Sequence, residues 1–328
     1  MKAFGKYLLL ASLTVTLCCS LGCSRHDNSE RYILVTVNTK LDYWKDAAAG
    51  LARATAKYGV KMDVRGPEGY DPQAEVQEFR NTFPLKPSGL MVSVADANLM
   101  QPAIDDAINA GIPVITIDSD APKSHRLYFI GTNNLMAGRL GGERVVEKLH
   151  GKGNVVFYTM PQPNLEERLK GYNDVFADHP AIKIVEVFNI KGESGNAFDR
   201  TTHYLTQKGE KIDAYVCLEA SAGKDVAEAL KRQNASALVV AMDVDPQTLS
   251  AIKDGSIDST IAQKPFTMAF YGVKALDDVH HYPVDMKRDY SWDSFSPFPA
   301  FVDTGSTLVD KVNVDLYMKA REEAQQSK

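Results

Sequence analysis

The chain has 328 residues, 44% of them hydrophobic and 24% charged, an ordinary globular composition long enough for two lobes with separate cores. A formal charge of −5 argues against a basic nucleic-acid-binding surface. Three of the four cysteines fall at 18, 19 and 23, so only Cys217 remains in the folded body and an intrachain disulfide framework is excluded there.

Lys2 and Lys6 precede a short apolar run from Tyr7 to Leu17. A membrane-spanning helix needs about 20 apolar residues, so this run is too short to be one. It leads into Ser20-Leu21-Gly22-Cys23, a small residue directly before a cysteine. That arrangement is similar to a lipobox, although Ser20 stands where an aliphatic residue is usual. Residues 1–22 are therefore expected to be a lipoprotein-type signal peptide, with lipid attached to Cys23. Ordinary cleavage of a plain secretory signal is the alternative. Removing residues 1–22, which hold two lysines and no acid, leaves 35 basic and 42 acidic residues, a balance of −7. Residues 23–30 are polar from Ser24 to Glu30 and read as a tether.

From Tyr32 onward, short β-branched runs alternate with helical patterns. The strands are expected at Tyr32–Val37, Lys61–Val64, Gly89–Ser93, Val114–Ile117, Tyr128–Ile130, Asn154–Tyr158, Ile182–Val187, Ala214–Leu218, Ala237–Ala241 and Ser259–Ala262. Near-continuous apolar strands separated by helices indicate parallel sheets covered on both faces. Trp44, Ala47, Ala48, Leu51, Ala54 and Tyr58 share one helical face, which Gly59 stops. Asp71 caps the next helix, with Pro72 at its first position. A third helix runs from about Leu99 to Ala110 and ends at Gly111. The tail Leu316–Lys328 is polar and helical in composition, and His280-His281 reads as part of a surface loop.

A weak internal repeat relates the stretch from Gly89 to Pro122 to the stretch from Ala214 to Pro246. Both read strand, turn, Ala-rich helix, strand, Asp. Aligning Leu90 with Tyr215 aligns Asp118 with Asp243, each directly after an apolar strand. In open α/β sheets, ligands bind at the carboxyl ends of strands. Helix or turn capping is the plainer reading of both carboxylates. Cleft chemistry for a neutral sugar needs aromatic faces for the ring and carboxylates, amides or Arg for pairs of hydroxyls. Asn38, Tyr43 and Trp44 follow the first strand, Asp118 and Ser119 the fourth, Glu219 the strand ending at Leu218, and Gln263 the strand ending at Ala262. Arg168 lies on the helical stretch Leu165–Phe176. Core packing is the competing reading for Trp44, and a solvated helix charge for Arg168. Cys217, inside Ala214-Tyr215-Val216-Cys217-Leu218, reads as a buried structural thiol.

These motifs carry a resemblance to the type I periplasmic sugar-binding family, the relatives of ribose-binding protein. It rests on Gly111-Ile112-Pro113-Val114-Ile115-Thr116-Ile117-Asp118, Ile130-Gly131-Thr132-Asn133-Asn134, Arg168 through Gly171-Tyr172, Met242-Asp243 and Thr260-Ile261-Ala262-Gln263, and covers nearly all of residues 31–320. The resemblance implies an α/β fold of two doubly wound Rossmann-like lobes with parallel sheets, joined by a three-strand hinge. Residues 31–132 plus 264–302 would form the N-terminal lobe, and 133–263 plus 303–328 the C-terminal lobe. It implies that Tyr43 and Trp44 sandwich a sugar, that Asp118 holds hydroxyls from one lobe and Arg168 and Asp243 from the other, and that Gln263 contacts ligand beside the hinge. Asn38 falls close to a polar ligand position. The family commonly has Arg directly after the first Asp, where this chain has Ser119 and then Asp120, and an amide where this chain has Glu219. Those departures put ribose itself in question. Tyr290–Ala300, with Trp292, Phe295 and Phe298, is an added aromatic loop that either covers the cleft or packs on the surface.

The resemblance further implies an extracytoplasmic, monomeric sugar receptor that closes by hinge motion and serves an ABC permease. It would touch the membrane only through its lipid and have no cofactor, metal, nucleic-acid partner or catalytic activity. A chemotaxis or signalling sensor of the same fold is the alternative, as is a non-sugar ligand. A transcription regulator is disfavoured because no helix-turn-helix precedes Tyr32. An Asp118–Asp243 glycosidase pair is a further reading. The chain carries no P-loop, His-Glu-x-x-His, Cys-x-x-Cys or Gly-x-Ser-x-Gly pattern.

Overall fold

A computed structural model describes residues 26–207, 209–288 and 295–326. The expected signal peptide and Cys23 lie outside the described residues, as do Tyr290 and Trp292. Two six-stranded sheets organise the chain. The first has the order β11-β5-β4-β3-β1-β2, built from β1 (Arg31–Val35), β2 (Lys61–Arg65), β3 (Gly89–Val92), β4 (Val114–Ile117), β5 (Phe129–Gly131) and β11 (Phe301–Asp303), all parallel. The second has the order β12-β10-β9-β8-β6-β7, built from β6 (Gly153–Thr159), β7 (Ile182–Asn189), β8 (Ala214–Cys217), β9 (Leu238–Met242), β10 (Ser259–Ala262) and β12 (Thr307–Asp310). Only β12 runs antiparallel, against β10.

Ten of these strands are the ten expected from sequence, with ends displaced by at most two residues. The strands β11 and β12 have no counterpart in the sequence reading. Both are short, and β11 is mostly exposed, so neither carries the apolar run that marks a central strand.

Helices cover both faces of each sheet. In order they are α1 (Asp42–Tyr58), α2 (Pro72–Arg80), α3 (Ala97–Asn109), α4 (Asn134–Leu149), α5 (Pro163–Phe176), α6 (Gly195–Thr206), α7 (Ala222–Arg232), α8 (Pro246–Asp254), α9 (Pro265–His281) and α10 (Val314–Gln326). The two-residue side-chain period of β1 divides the first lobe's core. Tyr32 and Leu34 pack with Trp44, Leu51 and Val273 of α1 and α9, whereas Ile33 and Val35 pack with Phe79, Met100 and Ile104 of α2 and α3. One large cluster surrounds most of the second sheet, and a small one of Ala137, Met242 and Ile261 lies between α4 and the strands β9 and β10.

Local signals explain the helix ends. Gly59, at φ 69°, closes α1 by donating to the Ala56 and Thr55 carbonyls. The Asp71 carboxylate accepts from the Gln73 and Ala74 amides at the start of α2. His280 and His281 form the last turn of α9 rather than a loop. The buried face Met268, Ala269, Gly272, Val273, Leu276 and Val279 carries the helix through them.

The chain passes between the two sheets three times: from β5 to α4, from β10 to α9, and from β11 to β12. The carboxyl ends of the strands β1 and β4 therefore face those of β6, β8, β9 and β10 across a cleft, in which residues following these strands line one cavity.

The amino-terminal stretch departs from the tether reading. Glu30 is buried, and the His26 ring stacks on Tyr58 at 4.7 Å, so His26 and Glu30 pack on the body while 27–29 stay exposed.

Candidate functional site

Asp118 and Asp243 follow β4 and β9 directly, and both adopt left-handed backbone, at φ 64° and 66°. This region is open to few residue types, Asp among them. Each aspartate donates its amide across to the neighbouring strand, Asp118 to Ile130 O at 3.1 Å and Asp243 to Ile261 O at 3.0 Å. The repeat seen in the sequence is thus a repeat in backbone geometry.

Neither aspartate caps a helix. At α8, Asp245 takes that role, accepting from the Gln247 and Thr248 amides at 3.0 and 3.1 Å. The Asp118 Oδ1 accepts from the Tyr43 hydroxyl at 2.7 Å. Its Oδ2 accepts from the Ser93 hydroxyl at 2.9 Å and from Asn164 Nδ2 at 3.4 Å. The last of these crosses the cleft, from α5 to the strand end of β4.

Arg168 is no solvated helix charge: it is 2% exposed. Its Nε donates to Asn134 Oδ1 at 2.9 Å, one terminal nitrogen to the Leu218 carbonyl at 2.8 Å, and the other to Gln263 Oε1 at 2.9 Å. Gln263 Nε2 in turn donates to Asp243 Oδ1 at 2.9 Å. Three of the five guanidinium N–H groups are used, which leaves two for a ligand. Glycines permit this placement. A Cβ on Gly138 of α4 would lie 2.0 Å from the Arg168 carbonyl oxygen, and one on Gly171 of α5 would lie 2.2 Å from the Leu135 carbonyl oxygen. The two helices touch backbone to backbone and bring Arg168 beside the strand ends.

Glu219 does both things proposed for strand-end carboxylates. It lines the cavity, and it holds the start of α7, accepting from the Ser221 amide and hydroxyl at 2.7 Å and the Ala222 amide at 2.6 Å. Trp44 likewise packs in the core and lines the cavity, meeting Tyr43 edge to face at 4.9 Å. Asn38 lines the cavity while its side chain accepts from the Lys40 amide. Ser119 is a correction. It is fully buried off the cavity wall, and among the described residues its hydroxyl has no hydrogen-bond partner. Its neighbour Asp120 is held by Arg126 at 2.5 and 2.6 Å, so this carboxylate is structural.

The cavity's volume is about 70 Å³, below the roughly 300–1,000 Å³ usual for drug-sized ligand sites. Its charge is unbalanced, with Asp118, Asp243 and Glu219 around one Arg168. Burial pushes the Asp243 carboxyl up to about 7, against the opposing pull of Arg168 and Gln263 and with help from Asp118 and Glu219. Burial also raises Asp118, opposed by Arg168, Tyr43 and Ser93. It raises Glu219, opposed by the amides and hydroxyl that this residue caps. Such carboxyls are poised to accept from, or donate to, uncharged hydroxyls.

Residues 32–280 match the family model described as periplasmic binding protein domain. The chain belongs to this family. Among relatives of this binding protein, a ribose import binding protein from Haemophilus influenzae is 24% identical over 295 residues, covering 85% of this chain and 98% of that one. A solved sugar-binding protein of a sugar ABC transporter from Bacillus halodurans is 31% identical with a TM-score of 0.75, covering 88% and 99% of the two chains. An ABC transporter solute-binding protein from Burkholderia graminis, solved with D-arabinose, is 26% identical with a TM-score of 0.79, covering 88% and 97%.

The binding protein's cavity thus joins Asn38, Tyr43, Trp44, Asp118, Arg168, Glu219, Asp243 and Gln263. Sequence reasoning missed Ser93, Asn134 and Asn164 as members of the hydrogen-bond network. Ser93 directly follows β3, so the strand-end rule applied to Asp118 points to it equally. Asn134 and Asn164 lie at helix starts, where Asn ordinarily signals only a cap. The added aromatic loop reaches the body at Phe298, which stacks on Tyr128 at 5.8 Å, while Phe295 is 91% exposed. Neither lines the cavity.

Proposed function

We propose that the protein is an extracytoplasmic substrate-binding lipoprotein that captures a monosaccharide between its lobes and delivers it to an ABC importer. The observation that carries this is the buried Asp118–Arg168–Gln263–Asp243 set beside Tyr43 and Trp44. It supplies a carboxylate from each lobe, two spare guanidinium donors and an aromatic wall. Paired ring hydroxyls fit these groups, and the C–H face of a pyranose or furanose fits the ring of Tyr43 or Trp44. A related solute-binding protein solved with D-arabinose and a related sugar-binding protein of a sugar ABC transporter support the same class of ligand.

The lobes in this reading are 31–132 plus 264–302 and 133–263 plus 303–328. Cleft-crossing contacts such as Asn164 to Asp118 and Arg321 to Asp46 at 2.7 Å form on closure. Hinge closure then presents a surface that a permease recognises. Cys23 is the lipid attachment point in this reading.

A thermal-shift panel of monosaccharides, sugar alcohols and amino sugars tests the reading. A sugar at 1,000 times its Kd stabilises the fold by about 4 kcal/mol, several degrees in Tm. Asp118→Ala abolishes that shift. A panel without a single responding sugar overturns the sugar assignment, and turnover of a glycoside by the purified protein overturns the receptor assignment.

A further inference from the structure

Far from the cleft, two carboxylates and two imidazoles meet where the amino-terminal stretch docks on the body. His26, Glu30, Asp277 and His281 each offer one ligand atom, and these four atoms all lie within 4.8 Å of one another. His26 Nε2 is 2.8 Å from Asp277 Oδ1. His281 Nε2 is 3.3 Å from Glu30 Oε2 and 3.5 Å from Asp277 Oδ1. We infer that these four side chains form a Zn²⁺-class site that clips the amino-terminal stretch to α9.

Three features favour a cation. First, the spacing fits: four ligands at 2.0–2.1 Å around a tetrahedral Zn²⁺ lie about 3.3–3.4 Å apart, and the contacts above fall on both sides of that value. Second, the charge fits. Glu30 and Asp277 are 4% and 2% exposed, and buried carboxylates call for a paired or coordinated cation. Third, the ligands are preorganised. Asp277 and His281 sit one turn apart on α9. In the turn before β1, Glu30 Oε1 accepts from the Asp27 amide at 2.8 Å, and its Oε2 is the atom nearest His281. Behind the ligands, the Tyr32 hydroxyl donates to Asp277 at 3.2 Å and the Tyr58 ring stacks on His26. Two nitrogens and two carboxylates suit Zn²⁺, whereas Ca²⁺ and Mg²⁺ favour larger all-oxygen shells.

The site is separate from the sugar cleft. Tyr43 stands at the cleft end of α1 and Tyr58 at the other, about 22 Å along the helix axis. Occupancy therefore reads out on the anchoring of the amino terminus and leaves the binding groups alone.

The experiment is metal analysis of the purified protein after dialysis against Zn²⁺, with Co²⁺ titration followed by its visible d–d bands. One tightly held metal per chain and tetrahedral Co²⁺ spectra are expected. His26→Ala and His281→Ala weaken Zn²⁺ binding at least about tenfold, the lower range seen even for changes behind the ligands. His280→Ala, beside the site, leaves it unchanged, and all three variants bind the cleft ligand as the parent does. No stoichiometric metal, or His26→Ala and His281→Ala binding Zn²⁺ as tightly as His280→Ala, overturns the inference.

Discussion

Replacing Asp243 with Asn tests the electrostatics of the cleft most directly. The Asp243 carboxyl is raised from the ordinary 3.8 to about 7, first by burial. A raised carboxyl binds its proton more tightly in the folded state than in the unfolded one. Stability is therefore highest at acid pH and falls as pH rises from the unfolded value through the folded one. A shift of this size corresponds to about 4 kcal/mol in total, of which about 3 kcal/mol is lost between pH 5 and pH 8. Asp243→Asn keeps the shape and an acceptor for Gln263 Nε2, and it removes the titration. Urea unfolding from pH 5 to pH 8 should show the variant gaining about 3 kcal/mol relative to the parent across that window. Ligand binding is lost in the same variant, because a hydroxyl-accepting carboxylate is gone. Parent and variant curves that run parallel in pH would refute the assignment of a buried, raised Asp243.

Other outcomes follow from named contacts. Arg168→Ala leaves Asp118 and Asp243 without the cation they share, and should cost about 3–5 kcal/mol at pH 7, with partial recovery at pH 5 as the carboxyls protonate. Calorimetry at the two pH values checks it. Gly138→Ala places a methyl 2.0 Å from the Arg168 carbonyl oxygen. It should destabilise by about 1–3 kcal/mol and weaken binding together, read by urea unfolding and ligand titration. Glu219→Ala removes the acceptor at the start of α7 and should cost about 1 kcal/mol, measured by thermal unfolding.

What was legible in the sequence is what local pattern encodes. Ten short runs located ten strands to within two residues, and central strands such as β1, β3 and β4 stand out because a buried parallel strand must be apolar on both faces. Gly59, Asp71 and Pro72 marked helix ends through backbone rules that act within one turn. The repeat matched Asp118 to Asp243 because two copies of one βαβ order place the same residue at the same strand end. The edge strands β11 and β12 stayed hidden because they exist only by pairing with β5 and β10.

Which polar groups meet at the site was decided by distance across the fold. Capping and ligand readings of a strand-end carboxylate share one local sequence. Tyr43 and Asn164 reach Asp118, which caps no helix, whereas the amides of Ser221 and Ala222 make Glu219 a cap. Ser119 looked equivalent to its neighbour in sequence, yet alternation along the chain put it off the cavity wall. His26 and His281 lie 255 positions apart in sequence. Only docking of the amino-terminal stretch on α9 sets them around the same two carboxylates. Sequence by itself determined the elements and their order, because hydrogen bonding and burial within an element are local. Tertiary structure alone decided which polar groups share a buried space, because desolvation and charge pairing depend on neighbours that the chain supplies from its far ends.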